Sequence, residues 1–427
     1  MQTLEKDREW FEDDVLDRFL RYVQVHTTSD RHGTETPTTQ RQWDLIRMLE
    51  SELRGFGIDD ITVDERGYLI ARLPAASDGK DKSPAGREGG PTIGYMAHVD
   101  TTEDYTGENV NPQVHRKYDG GVISAGSLRL DPADFPELLD YKGETVVTTD
   151  GTTLLGADDK AGVAEVMTAV RYLLAHPEIP RPAMEIIFTP DEETGKGMDR
   201  FPLELLRSQY CYTVDGGDEG TIEAESFTAY KATLEFQGVM IHPGTARGKM
   251  VNAARMAAAF ITMLPRSESP EATDGRYGFY HPLLMSGSGE SAKAEILIRD
   301  FDGRLVEQRI AAIHAFADAV RASFPGGKIT VTIEKQYRNM YDRIAEDPHG
   351  LELLPEAARQ TGVAPVFHSI RGGTDGSRLT EMGVPTPNLF AGGHNMHGRF
   401  EWVALPSMVR AAKTLVNLAE LWASKSP

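Results

Sequence analysis

The chain is 427 residues long, 40% hydrophobic and 26% charged, and its 65 Asp+Glu against 45 Lys+Arg leave a net charge of −20. That length exceeds one ordinary domain of about 100–200 residues. No run of about 18 apolar residues offers a membrane-spanning helix, and the acidic surface disfavours nucleic acid and anionic membrane as partners. The single cysteine, Cys211, excludes an internal disulfide, and the charged start MQTLEKDREWFEDD lacks the apolar core of a signal segment. A cytoplasmic location is the expectation.

In chain order, apolar residues at Val15, Phe19 and Tyr22 predict a helix over 10–25. A second is predicted over 38–56, stopped at Gly57. Short strands follow at 61–63 and 68–73. Residues 75–91 are rich in Gly, Ser, Pro and charge, and read as a surface loop longer than the fold needs. Strands are then predicted at 92–97, 184–189 and 210–214, with a helix at 160–176. Such alternation predicts an α/β sheet with parallel strands, where ligands gather beyond the carboxyl ends of strands. From about 227 the texture changes to a long alternating strand, a helix at 249–264, a strand at 294–301, a helix at 304–324 and a strand at 328–334. This reads as a small α+β unit over 227–339, a four-stranded sheet with two helices, inserted into a first domain made of 1–226 and 340–427.

Five segments bring together residues that bind metals: MAHVD (His98, Asp100), LLGADDKAG (Asp158, Asp159), FTPDEETGKG (Asp191, Glu192, Glu193), YTVDGG (Asp215) and GGHNMHGRFE (His394, His397, Glu401). Singly, each has an ordinary explanation. Asp158–Asp159 would cap a helix, Glu192–Glu193 would sit on a solvated turn, and the histidines would be packed or exposed. Jointly, they place four strand ends and one later loop at one rim of one sheet. Histidine nitrogen with carboxylate oxygen suits zinc and also holds manganese or cobalt. A shared carboxylate would make two adjacent cation sites, with one of the Glu192–Glu193 pair as ligand and the other as general base.

The words MAHVDT, TTDGTTLLGADDKAG, FTPDEETGKG, YTVDGG, IHPGTARG, IRDFD, RGGTDG and the final HG-x-x-E fall in one order along almost the whole chain. In that order the sequence resembles the tripeptide aminopeptidases of the co-catalytic di-zinc metallopeptidase family, which also holds carboxypeptidases and acyl-amino-acid deacylases. The resemblance implies a mixed, mostly parallel sheet flanked by helices, with an inserted ferredoxin-like lid and dimerisation domain. It implies two zinc ions, tripeptide substrates cut at the N-terminal bond, and a homodimer through the inserted domain.

Residue by residue, it implies that His98 and Asp215 hold one zinc and that Asp158 bridges the two, with a cis peptide between Asp158 and Asp159. Glu193 and His397 would hold the second zinc, and His397 is chosen over His394 because it lies four residues before Glu401. Asp100 would orient His98, and Glu192 would be the general base. His242 would reach into the partner subunit's site and hold the oxyanion. Arg299 and Arg371 would grip the peptide's carboxylate and backbone. Read locally, His242 caps the turn before Pro243, and Arg299 pairs with Asp300 or Asp302. The competing readings are a dipeptidase, carboxypeptidase or deacylase on the same fold, or a non-catalytic metal-binding protein.

Overall fold

The computed structural model describes residues 4, 6–77 and 90–425. Most of the expected 75–91 loop therefore lies outside the described residues. The chain divides into two compact units.

The larger unit comprises Met1–Ala224, Ile344–His368 and Thr374–Pro427. Its first helices are α1 (Arg8–Val23) and α2 (Gln42–Gly55). Helix α2 stops where the sequence predicts, with Gly57 at φ +86°, the left-handed conformation that ends a helix most readily at glycine. Strands β1 (Ile61–Val63), β2 (Leu69–Leu73) and β3 (Thr92–His98) lead to the short β4 (Gln113–His115), β5 (Ile123–Ala125), β6 (Leu128–Leu130) and β7 (Val146–Thr148). Helix α3 (Ala157–Ala175), β8 (Ala183–Thr189), β9 (Tyr210–Gly216) and β10 (Thr221–Ser226) follow.

The smaller unit comprises Glu225–Arg343 and Ser369–Gly373. It holds β11 (Thr228–Gln237), α4 (Ala253–Met263), β12 (Phe279–Gly287), β13 (Ser291–Asp300), α5 (Gly303–Ser323) and β14 (Lys328–Tyr337). The sheet order is β12-β13-β11-β14, antiparallel throughout. Alternation along β11 and β13 sends Ala232, Leu234, Phe236, Ala294, Ile296 and Ile298 into a core shared with Phe260, Ile313 and Val320 of the two helices. The unit exceeds the expected 227–339. Phe227 N–H donates to Ile370 O at 3.1 Å, and the Ser369 hydroxyl donates to Glu225 at 2.6 Å, so a stretch that carries Arg371 packs here.

After it come α6 (Tyr341–Ile344), α7 (His349–Arg359), β15 (Val366–Ile370), α8 (Asp375–Glu381), β16 (Asn388–Phe390), β17 (Gly393–His394), β18 (Trp402–Ala404) and α9 (Leu405–Lys425). The main sheet has eight strands in the order β1-β2-β8-β3-β9-β16-β10-β15. Its middle, β8-β3-β9-β16, is parallel, and the β1-β2, β2-β8 and β10-β16 pairings on either side of it are antiparallel. Strand β3 is buried from Ile93 to His98, as a strand covered on both faces must be. Helix α3 packs on β3 and β9 beneath α1 and α9. It is buried nearly all round, so its sequence shows little amphipathic stripe. A second sheet, β17-β18-β7-β4, completes the unit. No helix among the described residues is long and apolar enough to cross a membrane.

Candidate active site

His98 is the last residue of β3. Its Nδ1 lies 3.1 Å from the Asp100 carbonyl oxygen and 3.3 Å from Asp100 Oδ1. Its Nε2 lies 3.0 Å from Asp158 Oδ1 and 3.6 Å from Asp215 Oδ1. Asp100 is fully buried, and its carboxylate also accepts from the backbone N–H groups of Glu192, at 3.0 Å, and Glu193, at 3.2 Å. One carboxylate therefore orients the imidazole and holds the turn after β8.

That turn is fastened from its other side by Asp191, at φ +64°. Its carboxylate accepts from Thr38 N–H at 2.8 and 2.9 Å, from the Thr38 hydroxyl, and from Gln42 Nε2 at 2.7 Å. Glu193 Oε1 accepts from Thr102 N–H at 3.1 Å, and its Oε2 lies 3.1 Å from His397 Nε2. His397 Nε2 is also 3.3 Å from Asp158 Oδ2. Asp158 thus stands between the two imidazoles, one oxygen toward each. His397 Nδ1 faces Asp104 Oδ2 at 3.4 Å.

Asp158 does not come from an end of the main sheet. It stands at the irregular start of α3, joined to Asp159 by a cis peptide bond. The strand before it, β7, belongs to the second sheet, as does β17, which precedes His397. The main sheet supplies three sites, through β3, β8 and β9. The expectation of four strand ends on one rim is corrected accordingly. What brings the second group in is Glu401, buried just before β18. It accepts from the N–H groups of Leu155 and Gly156 at 2.7 Å and of Asp158 at 3.1 Å. Gly162 lets α3 approach β9, because a Cβ there would lie 1.8 Å from Val214 O.

Among the described residues the donors form two groups that share His98: His98–Asp158–Glu193 and His98–Asp159–Asp215, each with its atoms within 4.8 Å of one another. Asp159 offers an atom that the sequence comparison did not assign. Its Oδ1 is buried without a hydrogen-bond partner among the described residues. Nitrogen and carboxylate oxygen donors of this kind suit zinc, manganese or cobalt, and the crowding of carboxylates calls for added positive charge. Burial pushes the Glu192 carboxyl well above its usual range, with the Asp215 charge adding to it. Burial likewise raises Glu193 to about 7, helped by Asp158, and raises Asp215. Burial also acts to raise Asp158, but hydrogen bonds from His397 and His98 hold it below the usual carboxylate range. Hydrogen bonds to Asp158 and Glu193 push His397 up to about 11.

Sequence reasoning missed several supporting groups. Asp375 accepts from the Thr189 hydroxyl at 2.7 Å, and burial raises it to about 7. Lys160 is buried, donates to Val25 O at 2.7 Å, and is lowered to about 7 by burial. Asp375 lies inside RGGTDG and Lys160 inside GADDKAG, so the motifs held the signal without its meaning.

The remaining expected residues lie in the smaller unit. His242 is exposed, and its Nδ1 accepts from Gly244 N–H at 3.2 Å, capping the Pro243–Thr245 turn. Arg299 pairs with neither Asp300 nor Asp302. It donates to Tyr230 O and Ile298 O at 3.0 Å and to Gln336 Oε1 at 2.7 Å. Arg371 donates to Gly275 O, Tyr277 O and Thr273 at 2.8–3.2 Å, with its guanidinium over the Phe227 ring.

Residues 145–421 match the profile of Peptidase family M20/M25/M40. The chain is 47% identical over 416 residues to Peptidase T of Geobacillus thermodenitrificans, covering 97% of this chain and 99% of that one. It is 44% identical, over the same shares, to Peptidase T of Listeria innocua. Among solved structures it shares the fold of aminopeptidase PepT from Bacillus cereus, with TM-score 0.73 and 24% identity over 96% of this chain and 98% of that one. With its motifs, its two donor groups and these relatives taken together, the chain belongs to the M20/M25/M40 peptidase family.

Proposed function

We propose that this chain is a metal-dependent aminotripeptidase that hydrolyses the N-terminal peptide bond of tripeptides. The observation that carries this reading is Glu192. Its half-buried carboxyl stands near the Asp215 and His98 charges, yet among the described residues it is not one of the carboxylates that face the His98 or His397 imidazole. A site built only to bind metal has no use for a non-ligating acid there. The substrate class is supported by the relatives' name, Peptidase T, at 44–47% identity over nearly the full chain.

In this reading His98 and Asp215 hold one divalent cation, Glu193 and His397 hold the other, and Asp158 serves both. Two zinc ions are the first choice, with manganese or cobalt as substitutes. When bound, such a pair acidifies water and polarises a carbonyl. Glu192 accepts the proton of the attacking water and returns it to the leaving amine. Asp100 fixes the tautomer of His98 and the position of the Glu192 turn together.

In a homodimer formed through the inserted unit, His242 stabilises the oxyanion in the partner's site. Arg299 and Arg371 meet the peptide's carboxylate and backbone. Both guanidiniums bond to neutral oxygens and lie over aromatic rings, and among the described residues neither is paired with a carboxylate, which leaves their charge for one. A cytoplasmic location fits a chain with one buried free cysteine.

Hydrolysis of free trialanine, with chelator and after zinc is restored, tests the reading. Dialanine and N-acetyl-trialanine serve as controls. Release of the first residue from free trialanine alone, lost with chelator and regained with zinc, is the expected result. Cleavage of the dipeptide or the blocked peptide instead moves the activity to a dipeptidase or deacylase.

A further inference from the structure

Two histidines lie within four residues, and only His397 faces Asp158 and Glu193. His394 turns elsewhere. It pairs in register with Trp402 across β17 and β18, and its ring stacks on the indole at 3.9 Å and 7°. Tyr141 meets it edge-on at 5.9 Å. Its Nδ1 lies 3.1 Å from Asp218 Oδ1, while its Nε2 is buried without a partner among the described residues. One hydrogen bond therefore sets the role of this imidazole.

The placement of that bond is informative. Asp218 lies three residues after Asp215, and His394 three residues before His397. The same two loops share backbone bonds, Ala391 N–H to Gly216 O and Gly392 N–H to Gly217 O, both at 3.0 Å. Glu219, next to Asp218, is held to α9 by Arg410 at 2.7 and 2.8 Å and by the Ser407 hydroxyl at 2.7 Å. The loop after β9 is thus fixed at Glu219 on one side and at His394 on the other.

We propose that the Asp218–His394 pair, braced by Trp402, clamps the Asp215 loop to the His397 loop, which makes His394 a positioning residue for the two-cation centre. The inference rests on the reading above, in which Asp215 and His397 serve different cations. Ligand spacing on the two sides of Asp158 then depends on a contact that touches neither cation. A stacked ring loses little further freedom when it hydrogen-bonds, so the clamp is stiff where a longer polar side chain would not be.

The test titrates cobalt(II) into metal-stripped wild type, His394→Phe, His394→Asn and Asp218→Ala, followed by visible absorption, with trialanine kinetics at saturating cobalt. Phenylalanine keeps the stack and loses the donor. Asparagine keeps a donor near the Nδ1 position. The Phe and Ala variants are expected to bind cobalt about tenfold more weakly, the scale on which outer partners of metal ligands act. Their absorption bands should shift, and kcat should fall while KM holds. The Asn variant should recover much of the cobalt affinity.

Wild-type affinity and an unchanged spectrum in the Phe and Ala variants would overturn the clamp. If His394→Phe does not fold by circular dichroism, Asp218→Ala decides alone, since that side chain is 68% exposed. If the wild type binds cobalt but leaves trialanine intact, the tripeptidase reading fails and the cobalt titration still judges the clamp. If the wild type binds no cobalt, both fall.

Discussion

Glu192 and Glu193 are neighbours with different work. The Glu193 side chain joins Thr102 N–H and His397, whereas among the described residues the Glu192 carboxyl pairs with neither imidazole. Glu192→Gln is expected to keep both cations and lose at least about 10²-fold in kcat, the scale of a lost general base. Metal analysis alongside the kinetics separates the outcomes, because loss of metal would make Glu192 a ligand. The types of these residues were legible in the sequence, since ligand chemistry is written in side chains. The work of Asp100 on the Glu192 and Glu193 backbone, or of Glu401 on Leu155, Gly156 and Asp158, was not. Backbone N–H groups carry no sequence signature, and these contacts exist only once distant segments meet.

Helix α3 concentrates the costs of building the site. Gly162→Ala would drive a methyl group into Val214 O and within 2.3 Å of Asp159 Oδ1. Overpacking of this kind typically costs about 1–3 kcal/mol, and denaturant unfolding should show at least that loss. Three residues on, Glu165 is fully buried, and neither of its carboxyl oxygens has a partner among the described residues. Burial holds its proton well above the usual range. The unfolded chain releases that proton more readily, so Glu165 weakens the fold as pH rises above its unfolded value near 4.3. Glu165→Met is expected to stabilise by about 1–3 kcal/mol, with thermal melts showing a larger gain at pH 8 than at pH 5.

At this scale the parallel strands and long helices followed from apolar runs. Strand β12 escaped because its sequence FYHPLLMSG contains Pro282 and leaves Leu283, Leu284 and Met285 exposed. An edge strand with a register shift at the proline shows no period. The origin of Asp158 was misplaced for a related reason, because a short strand does not announce which sheet it joins.

The molecule as a whole separates two tasks. Every donor of the two cation groups, with Glu192 and Asp100, belongs to the larger unit, and His242, Arg299 and Arg371 belong to the smaller one. If His242 acts across a dimer, mixing His242→Ala protein with Glu192→Ala protein should restore part of the activity that each lacks. Mixed dimers that stay inactive would end the in-trans reading. The change of texture near residue 227 is the sequence feature from which an inserted unit is expected. The capture of Ser369–Gly373 by the smaller unit was not legible there, because it depends on Phe227 and Glu225 finding partners more than a hundred residues away.

The reach of Glu401 has a consequence for synthesis. The three N–H groups that it satisfies belong to residues made more than 240 positions earlier. During translation the stretch around Asp158 must wait, its donors turned to water, while the whole smaller unit is made and can fold as a body of its own. The metal-binding face is therefore among the last parts of the larger unit to be completed, and its assembly coincides with the arrival of the loop that carries Glu401.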